Sequence, residues 1–249
     1  MNDKDHDTKR FIINKLSTLE RYDYLNTMKA DDIYSLGLLQ PLLEGYPFIP
    51  FTGSALRPFC LNHMVNDIII NHRQSIIEFG SGISTIIISR LIKKNRLNAS
   101  FLSVEHNAEW VNVLEKILQR ECLEDTVKIL QAPLTHCALS IDNNQWFDVN
   151  LLNDHTNNKK FDMVIIDGPP AWEESKKTAR YRAVPYIMKK LSDDFSIYLD
   201  DANRAGEESI IKLWEKEFNI EFTLPGSSLA FYYGGNTFYT EPSSYYQLF

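Results

Sequence analysis

The chain has 249 residues and a net charge of −7, with 44% hydrophobic and 24% charged residues. That length accommodates one α/β domain with an extension, and it buries enough surface to fold without disulfide or metal staples. The acidic balance argues against a general nucleic-acid binder, which needs a basic face to displace counterions, but it leaves room for a local basic cleft.

Cys60, Cys122 and Cys137 show no CxxC spacing and cannot all pair. A disulfide framework and a zinc site are therefore not expected, and a reducing compartment is favoured. The opening MNDKDHDTKR is polar and charged, and no apolar run approaches the ~18–20 residues that span a bilayer. The expectation is a cytoplasmic protein without a membrane or nucleic-acid partner.

In chain order, residues 1–71 are expected to form a helical and loop-like extension that serves partly as a lid. Phe11, Ile12, Leu16 and Leu19 fall near helical spacing over 11–25. Residues 45–58 hold three prolines and two glycines, which signals a structured loop. Pro58 then opens a helix to about Ile70, proline being favoured in a first turn.

From Ser75 onward short apolar runs alternate with amphipathic segments. Strands are expected at 75–79, 101–105, 127–131, 163–167, 195–200, 220–224 and 228–233. Helices are expected at 84–94, 108–120, 173–191 and 207–218, the third kinked or divided at Pro185. Residues 134–160 lack a clear period and are expected to be a helix-plus-loop connection. The alternation implies an α/β domain over 72–249: a Rossmann-like, doubly wound, seven-stranded sheet, mostly parallel, with helices on both faces. Three residues separate the last two strands, too few for a parallel crossover, so they should close as an antiparallel hairpin.

The most informative stretch is Glu78-Phe-Gly-Ser-Gly-Ile-Ser-Thr85, between the first strand and its helix. Gly80 and Gly82 permit a tight turn and close approach to a ligand, and the helix that follows presents free N–H groups. The GxGxxG pattern of dinucleotide binding is incomplete, because position 85 is Thr. Glu78, at the strand end, is placed to accept hydrogen bonds from a cationic amino-acid moiety or from backbone N–H groups. Glu105 closes the second strand, where an ionised carboxylate can accept from both hydroxyls of a ribose.

An acid two positions before a GxG turn resembles the first motif of the class I S-adenosylmethionine-dependent methyltransferases. That resemblance implies S-adenosylmethionine as cofactor and gives Glu105 the ribose. It places Gln131-Ala132-Pro133-Leu134 beside adenine and His106 beside the adenosine. The cofactor contacts it implies are Glu78, Gly80, Ser81, Gly82, Ser84, Thr85, Glu105, His106, Pro133, Leu134 and Asp167.

Asp167-Gly-Pro-Pro170 follows the fourth strand and Asp200-Asp-Ala-Asn-Arg204 the fifth. Ligands of open α/β sheets bind outside these carboxyl ends. Two readings stand for the acids. In one, Asp167, Asp200 and Asp201 hold a divalent cation such as Mg²⁺. The resemblance to catechol-type O-methyltransferases supports it, although the Asp-Asn pair of that family is here Asp200-Asp201 with Asn203 two further on. In the other, an Asp is a general base without metal, with Asp167 and Asp201 the catalytic candidates. Arg180, Arg182 and Asn203 are candidates for holding an acidic or sugar-like acceptor, and the two arginines read equally as helix-surface charges. The Thr52-Gly53-Ser54 loop is a candidate cover for the cofactor, and Trp146-Phe147-Asp148 a substrate wall or simply core.

The chain carries no Asn/Asp-Pro-Pro-Tyr/Phe signature, no P-loop Lys-Ser/Thr and no G-x-S-x-G elbow. The reaction that the resemblance implies is O-methylation of a small-molecule or sugar-like acceptor. The rivals are a nicotinamide-dependent oxidoreductase and a non-catalytic nucleoside-binding protein of the same fold. The aromatic residues Phe238-Tyr239 and Tyr245-Tyr246 through Phe249 are read as packing on the core or on a second subunit of a homo-oligomer.

Overall fold

The computed structural model describes residues 3–137, 140–224 and 228–242, with side chains from residue 15 onward except at 17 and 20. The first element, α1 (Asp3–Leu43), is a single helix of 41 residues, much longer than the spacing of 11–25 suggests. Its sequence has no glycine before Gly37 and no proline before Pro41, and it is rich in strong helix formers, so nothing stops propagation. Its last turns bury Leu39 and Leu42, whereas Leu16, Leu19, Tyr22 and Leu25 are exposed.

The helix α2 (Pro58–Ile70) has Arg57 as its N-cap and proline in its first turn, as expected. Arg57 pairs with Asp32 at 3.0 Å and donates to the Met28 carbonyl at 2.7 Å, which ties α2 back to α1. Leu61, Met64 and Ile68 of α2 join Leu39 and Leu42 in one core cluster with Ile87, Ile88 and Leu91 of α3 (Ile83–Asn95). The end of α1 and most of α2 are thus part of one face of the domain. Arg90 of α3 reinforces this from inside: it pairs with Glu121 at 2.7 Å and donates to the carbonyls of Leu42 and Pro47, both at 3.1 Å.

The remaining elements are β1 (Ser75–Phe79), β2 (Ser100–Glu105), α4 (Ala108–Arg120), β3 (Lys128–Gln131), β4 (Leu134–His136), β5 (Gln145–Phe147), α5 (Val149–Thr156), β6 (Phe161–Ile166), α6 (Ala183–Ile187), β7 (Leu191–Leu199), α7 (Ala205–Phe218) and β8 (Ala230–Gly234). The main sheet runs β3-β2-β1-β6-β7-β8, parallel except for the antiparallel β7–β8 pair. Its central strands are buried on both faces, which is why they read as unbroken apolar runs such as Met163–Ile166. Ile76 faces the α2–α3 core, and Ile77 faces a second core with Trp146 and Trp214.

The sheet has six strands, not seven. Residues 220–224 form only a bridge, Thr223 with Phe231, so the antiparallel partner of β8 is β7. The physical cause lies at Phe222. Its ring packs on Trp214, and its N–H goes to Glu215 Oε1 at 2.9 Å instead of to a strand ladder. The Pro225–Gly226 turn lies outside the described residues, as do Tyr245, Tyr246 and Phe249.

Two further expectations are corrected. Segment 173–191 is not one helix: it is divided into 3₁₀ turns at Glu174–Lys176, Ala179–Arg182 and Met188–Lys190, with the five-residue α6 between. Pro185 removes a donor from the middle of this run. Residues 134–160 contain, besides α5, the antiparallel ribbon β4–β5. Strands of three residues are too short to show a period.

The direction of strand progression reverses between β1 and β6. In a doubly wound sheet that switch point opens a crevice at the carboxyl ends of the strands. The loops after β1, β2, β6 and β7 all meet there.

Candidate active site

The loop after β1 is shaped by its two glycines for different reasons. Gly80 has φ 98°, and a Cβ there would lie 2.7 Å from the Gly168 nitrogen. Gly82 has open space where a Cβ would project. The first glycine therefore lets two backbones touch. The second leaves a cradle open at the start of α3, where unpaired N–H groups and the helix dipole favour a polar ligand.

Glu78 lies directly beneath this loop and is fully buried. Its carboxylate accepts from Ser84 Oγ, from Thr85 Oγ1 at 2.6 Å and from Ser103 Oγ at 2.5 Å. Burial raises its pKa, and the three hydroxyls partly offset that. Thr85 Oγ1 also accepts from the Gly82 N–H at 2.9 Å, and Ser81 Oγ meets Ser103 Oγ at 2.6 Å. Glu78, Ser84 and Thr85 thus fix the loop from below, with the hydroxyls turned inward onto the carboxylate. Ser103 completes the network and escapes sequence reasoning, because a Ser inside an apolar strand carries no signal of its own.

Glu105, at the end of β2, is 4% exposed. It accepts from the N–H groups of His106 at 2.8 Å and Asn107 at 2.7 Å on one oxygen, and from Ser81 N–H at 3.2 Å on the other. His106 Nδ1 is 2.8 Å from the first oxygen. The second oxygen, next to the Gly loop, keeps acceptor capacity to spare. Trp110 Nε1 donates to the Ser81 carbonyl at 2.8 Å and pins the loop from α4. The β2–β3 register sets Glu105 opposite Gln131, so exposed Pro133 and half-buried Leu134 follow on the same rim.

Acids from three places converge at the carboxyl ends of β6 and β7. Ligand atoms of Asp167, Asp200 and Asp201 lie within 4.8 Å of one another. Glu207, in the first turn of α7, joins them through Arg180. Arg180 is 4% exposed and is the hub of the cluster. Its Nη2 is 3.2 Å from both Asp167 Oδ1 and Asp201 Oδ2, its Nη1 is 3.6 Å from Glu207 Oε1, and it donates to the carbonyls of Asp200 at 3.0 Å and Pro169 at 3.3 Å. It is neither a helix-surface charge nor an open anion receptor; every side of it is engaged. Burial opposes its charge, but Asp167, Asp201, Glu207 and Asp200 together outweigh burial and raise its pKa.

The electrostatics of the acids follow. Burial and the neighbouring Asp200 push Asp167 well above the usual carboxylate range, with Arg180 pulling it down. Burial first, then Asp201, brings Asp200 to about 6. Burial brings Glu207 to about 7. Asp167 and Asp201 are the members open to solvent, at 17% and 21% of their side chains, whereas Glu207 is at 1%. Asp201 also adopts φ 59°, a left-handed conformation that Asp tolerates better than most residues.

Three clustered carboxylates are a donor set for a divalent cation. Here the position between Asp167 and Asp201 is taken by the Arg180 guanidinium, and Arg204 Nη1 is 2.8 Å from the same Asp201 oxygen. A dication beside these two guanidiniums would meet strong like-charge repulsion. Asn203 is exposed and adds no contact to the cluster. The residues as arranged do not fit Mg²⁺.

Arg182 is not on this rim; it lines a separate cavity with α5 and the turn before β6. The 52–54 loop is exposed. Trp146 and Phe147 are fully buried against Phe79, as core. Trp172, five residues after Asp167 and 70% exposed, is a rim aromatic that no sequence period marks.

Comparison with known proteins bears on this site. The family model described as a methyltransferase domain matches residues 77–202, from β1 to just beyond Asp201. No curated protein matches the chain. Among solved structures, a methyltransferase of Podospora anserina bound to S-adenosylhomocysteine is similar at 12% identity, with a TM-score of 0.55 over 90% of this chain and 96% of that one. An O-methyltransferase of tomaymycin synthesis from Streptomyces achromogenes, bound to S-adenosylmethionine, is similar at 14% identity and a TM-score of 0.50, over 73% of this chain and 82% of that one. An O-methyltransferase from Bacillus cereus in complex with S-adenosylhomocysteine is similar at 13% identity and a TM-score of 0.50, over 82% and 90%. These likenesses establish a shared fold.

Proposed function

The chain belongs to the methyltransferase-domain family, and from that premise we propose that it transfers a methyl group from S-adenosylmethionine to an oxygen of a small-molecule or sugar-like acceptor. The observation that carries this reading is the rim itself. An open cradle at Gly82, Glu105 beside it and Asp167 across the switch point form one continuous line of groups.

Bound S-adenosylmethionine supplies the electrophile, a methyl group on a positively charged sulfur. The open space at Gly82 and the start of α3 would receive its amino-acid end, and the spare acceptor capacity of Glu105 would take ribose hydroxyls. Glu78 acts at one remove, holding Ser84 and Thr85 and so the shape of the cradle.

Asp167 would take the proton of the acceptor hydroxyl. It is partly open to solvent, and while burial and Asp200 raise its pKa, the Arg180 guanidinium pulls it back toward the ionised form that a base requires. The proton would pass to Asp167 as the hydroxyl oxygen takes the methyl group the cofactor would supply. Arg180 keeps Asp167 aimed and partly neutralised, so no divalent cation is required in this reading. Trp172, exposed five residues after Asp167, would offer a flat face to an acceptor. Most of the rate would come from holding acceptor and methyl in line with water excluded.

Calorimetry with S-adenosylhomocysteine and NAD, followed by a methyl-transfer screen over phenols, sugars, carboxylic acids and amines, tests the proposal. The expected result is binding of the sulfur nucleoside and transfer to a hydroxyl. Binding of NAD with no binding of S-adenosylhomocysteine would overturn it.

A further inference from the structure

We propose that a basic cavity at the opposite end of the sheet from the active site binds a soluble polyanion bearing several phosphate groups. The cavity measures about 530 Å³ and lies between α5, the turn before β6 and the segment from Arg182 to Lys190. Five cations line it, Lys159, Lys160, Arg182, Lys189 and Lys190, and no carboxylate does. Among the described residues none of the five forms an ion pair within 4.0 Å. This is the local basic cleft that the net charge of −7 conceals.

Two features show that the cavity is built to receive an anion. The first is Arg182. Among the described residues its Nε and Nη1 are buried without a hydrogen-bond partner, so the protein itself supplies no oxygen to two guanidinium donors of a side chain that lines the cavity. Buried donors left unmade are costly, and a bound oxyanion relieves the cost. The second is the support given to the lysines. Lys160 Nζ is held by the Lys189 carbonyl at 3.2 Å, and the Lys190 ammonium stands 5.3 Å from the centre of the Tyr186 ring. Tyr186 is in turn fixed by Thr156 at 2.6 Å and Asn153 at 3.1 Å. A concave wall of one charge sign focuses the field on whatever enters.

The ligand class follows from charge and geometry. A single carboxylate would neutralise one of five cations, whereas a di- or triphosphate brings several charges and oxygens suited to both guanidinium and ammonium. The position separates this site from the chemistry. Lys159-Lys160 and Lys189-Lys190 immediately precede β6 and β7, while Asp167 and Asp200 follow the far ends of the same parallel strands. Six residues of strand span about 20 Å. The two ends are joined by one segment: Arg180 clamps the acids, and Arg182, two residues on, lines the cavity.

The test is calorimetry on the full chain with pyrophosphate and tripolyphosphate in about 0.15 M salt. Binding is expected to strengthen from the first to the second and to weaken about tenfold or more in Lys159→Gln/Lys189→Gln and in Arg182→Met, with affinity for S-adenosylhomocysteine unchanged. Both lysines are exposed, so the double variant remains informative if Arg182→Met impairs folding. Absence of binding by the wild type, or equal binding by the lysine variant, overturns the proposal. Cosedimentation with phosphatidylserine-containing vesicles, or retention of a single-stranded oligonucleotide, without binding of either free polyphosphate overturns it in favour of a lipid or nucleic-acid surface.

Discussion

Gly80 and Gly168 are packed backbone against backbone where the strand order reverses: a Cβ on Gly80 would fall 2.7 Å from the Gly168 nitrogen, and one on Gly168 would fall 2.8 Å from the Gly80 Cα. Neither neighbour is a side chain that can swing away, and Gly80 also needs its positive φ. Gly80→Ala and Gly168→Ala should therefore each cost about 2–4 kcal/mol in urea unfolding. Gly82→Ala meets nothing within 4 Å and should unfold within about 1 kcal/mol of wild type. Its defect should appear as weakened affinity for S-adenosylhomocysteine. An unchanged affinity in Gly82→Ala would remove the cradle from the cofactor site.

Arg180 makes a prediction about metals. Removing it leaves Asp167, Asp201 and Glu207 without their shared counter-ion, so Arg180→Met should cost about 3–5 kcal/mol, with Arg180→Lys recovering part. Chelation should leave wild-type transfer activity unchanged. Mn²⁺ should raise the melting temperature of Arg180→Met by occupying the vacated position between the carboxylates, and leave that of the wild type unmoved. A wild type stabilised by Mn²⁺, or inactivated by a chelator, would contradict the assignment of that position to the guanidinium.

The central strands and the residues at their carboxyl ends are legible in the sequence because both depend on short-range pattern. A run such as Met163–Ile166 is apolar since the strand is buried on both faces, and chain order alone then brings Glu105 and Asp167 to one rim. What escapes is set by distant partners. Arg180 sits in a stretch with helical spacing, yet that stretch folds as 3₁₀ turns around Pro185 and carries the guanidinium inward. Ser103 matters only because Glu78 lies one strand away. Segment 220–224 has strand-like composition, but Trp214 and Glu215 draw Phe222 out of the ladder.

Glu207 gives the cluster a pH signature. Its folded pKa of about 7, against an ordinary value of 4.5, means that the folded chain holds this proton more tightly than the unfolded chain does. The resulting contribution to stability is complete below about 4.5 and is lost as pH rises through 7. Asp200, at about 6 against 3.8, acts in the same direction over a lower window. Glu207→Gln, which cannot ionise, should therefore flatten the fall in unfolding free energy between pH 5 and 8 by on the order of 2–3 kcal/mol. The comparison is two urea series over that range. Parallel pH profiles for the two proteins would show that Glu207 does not carry the effect.

Glu105 tests the cofactor geometry most directly, provided that its two tasks are separated. It fixes the loop by accepting from Ser81, His106 and Asn107, and in the proposed function it also accepts from a ribose. Loss of the carboxylate in Glu105→Gln turns one acceptor oxygen into a donor that faces other donors, so the loop will loosen and affinity for S-adenosylhomocysteine should fall more than about tenfold. That fall alone does not distinguish a displaced loop from a lost ribose contact. Discrimination between nucleosides does. The wild type should prefer S-adenosylhomocysteine over its 2′,3′-dideoxy analogue by about 2 kcal/mol, the worth of hydrogen bonds to a charged acceptor. In Glu105→Gln that preference should shrink toward zero, because the group that reads the hydroxyls is gone. If the variant binds weakly but discriminates as the wild type does, Glu105 shapes the loop and another residue reads the ribose.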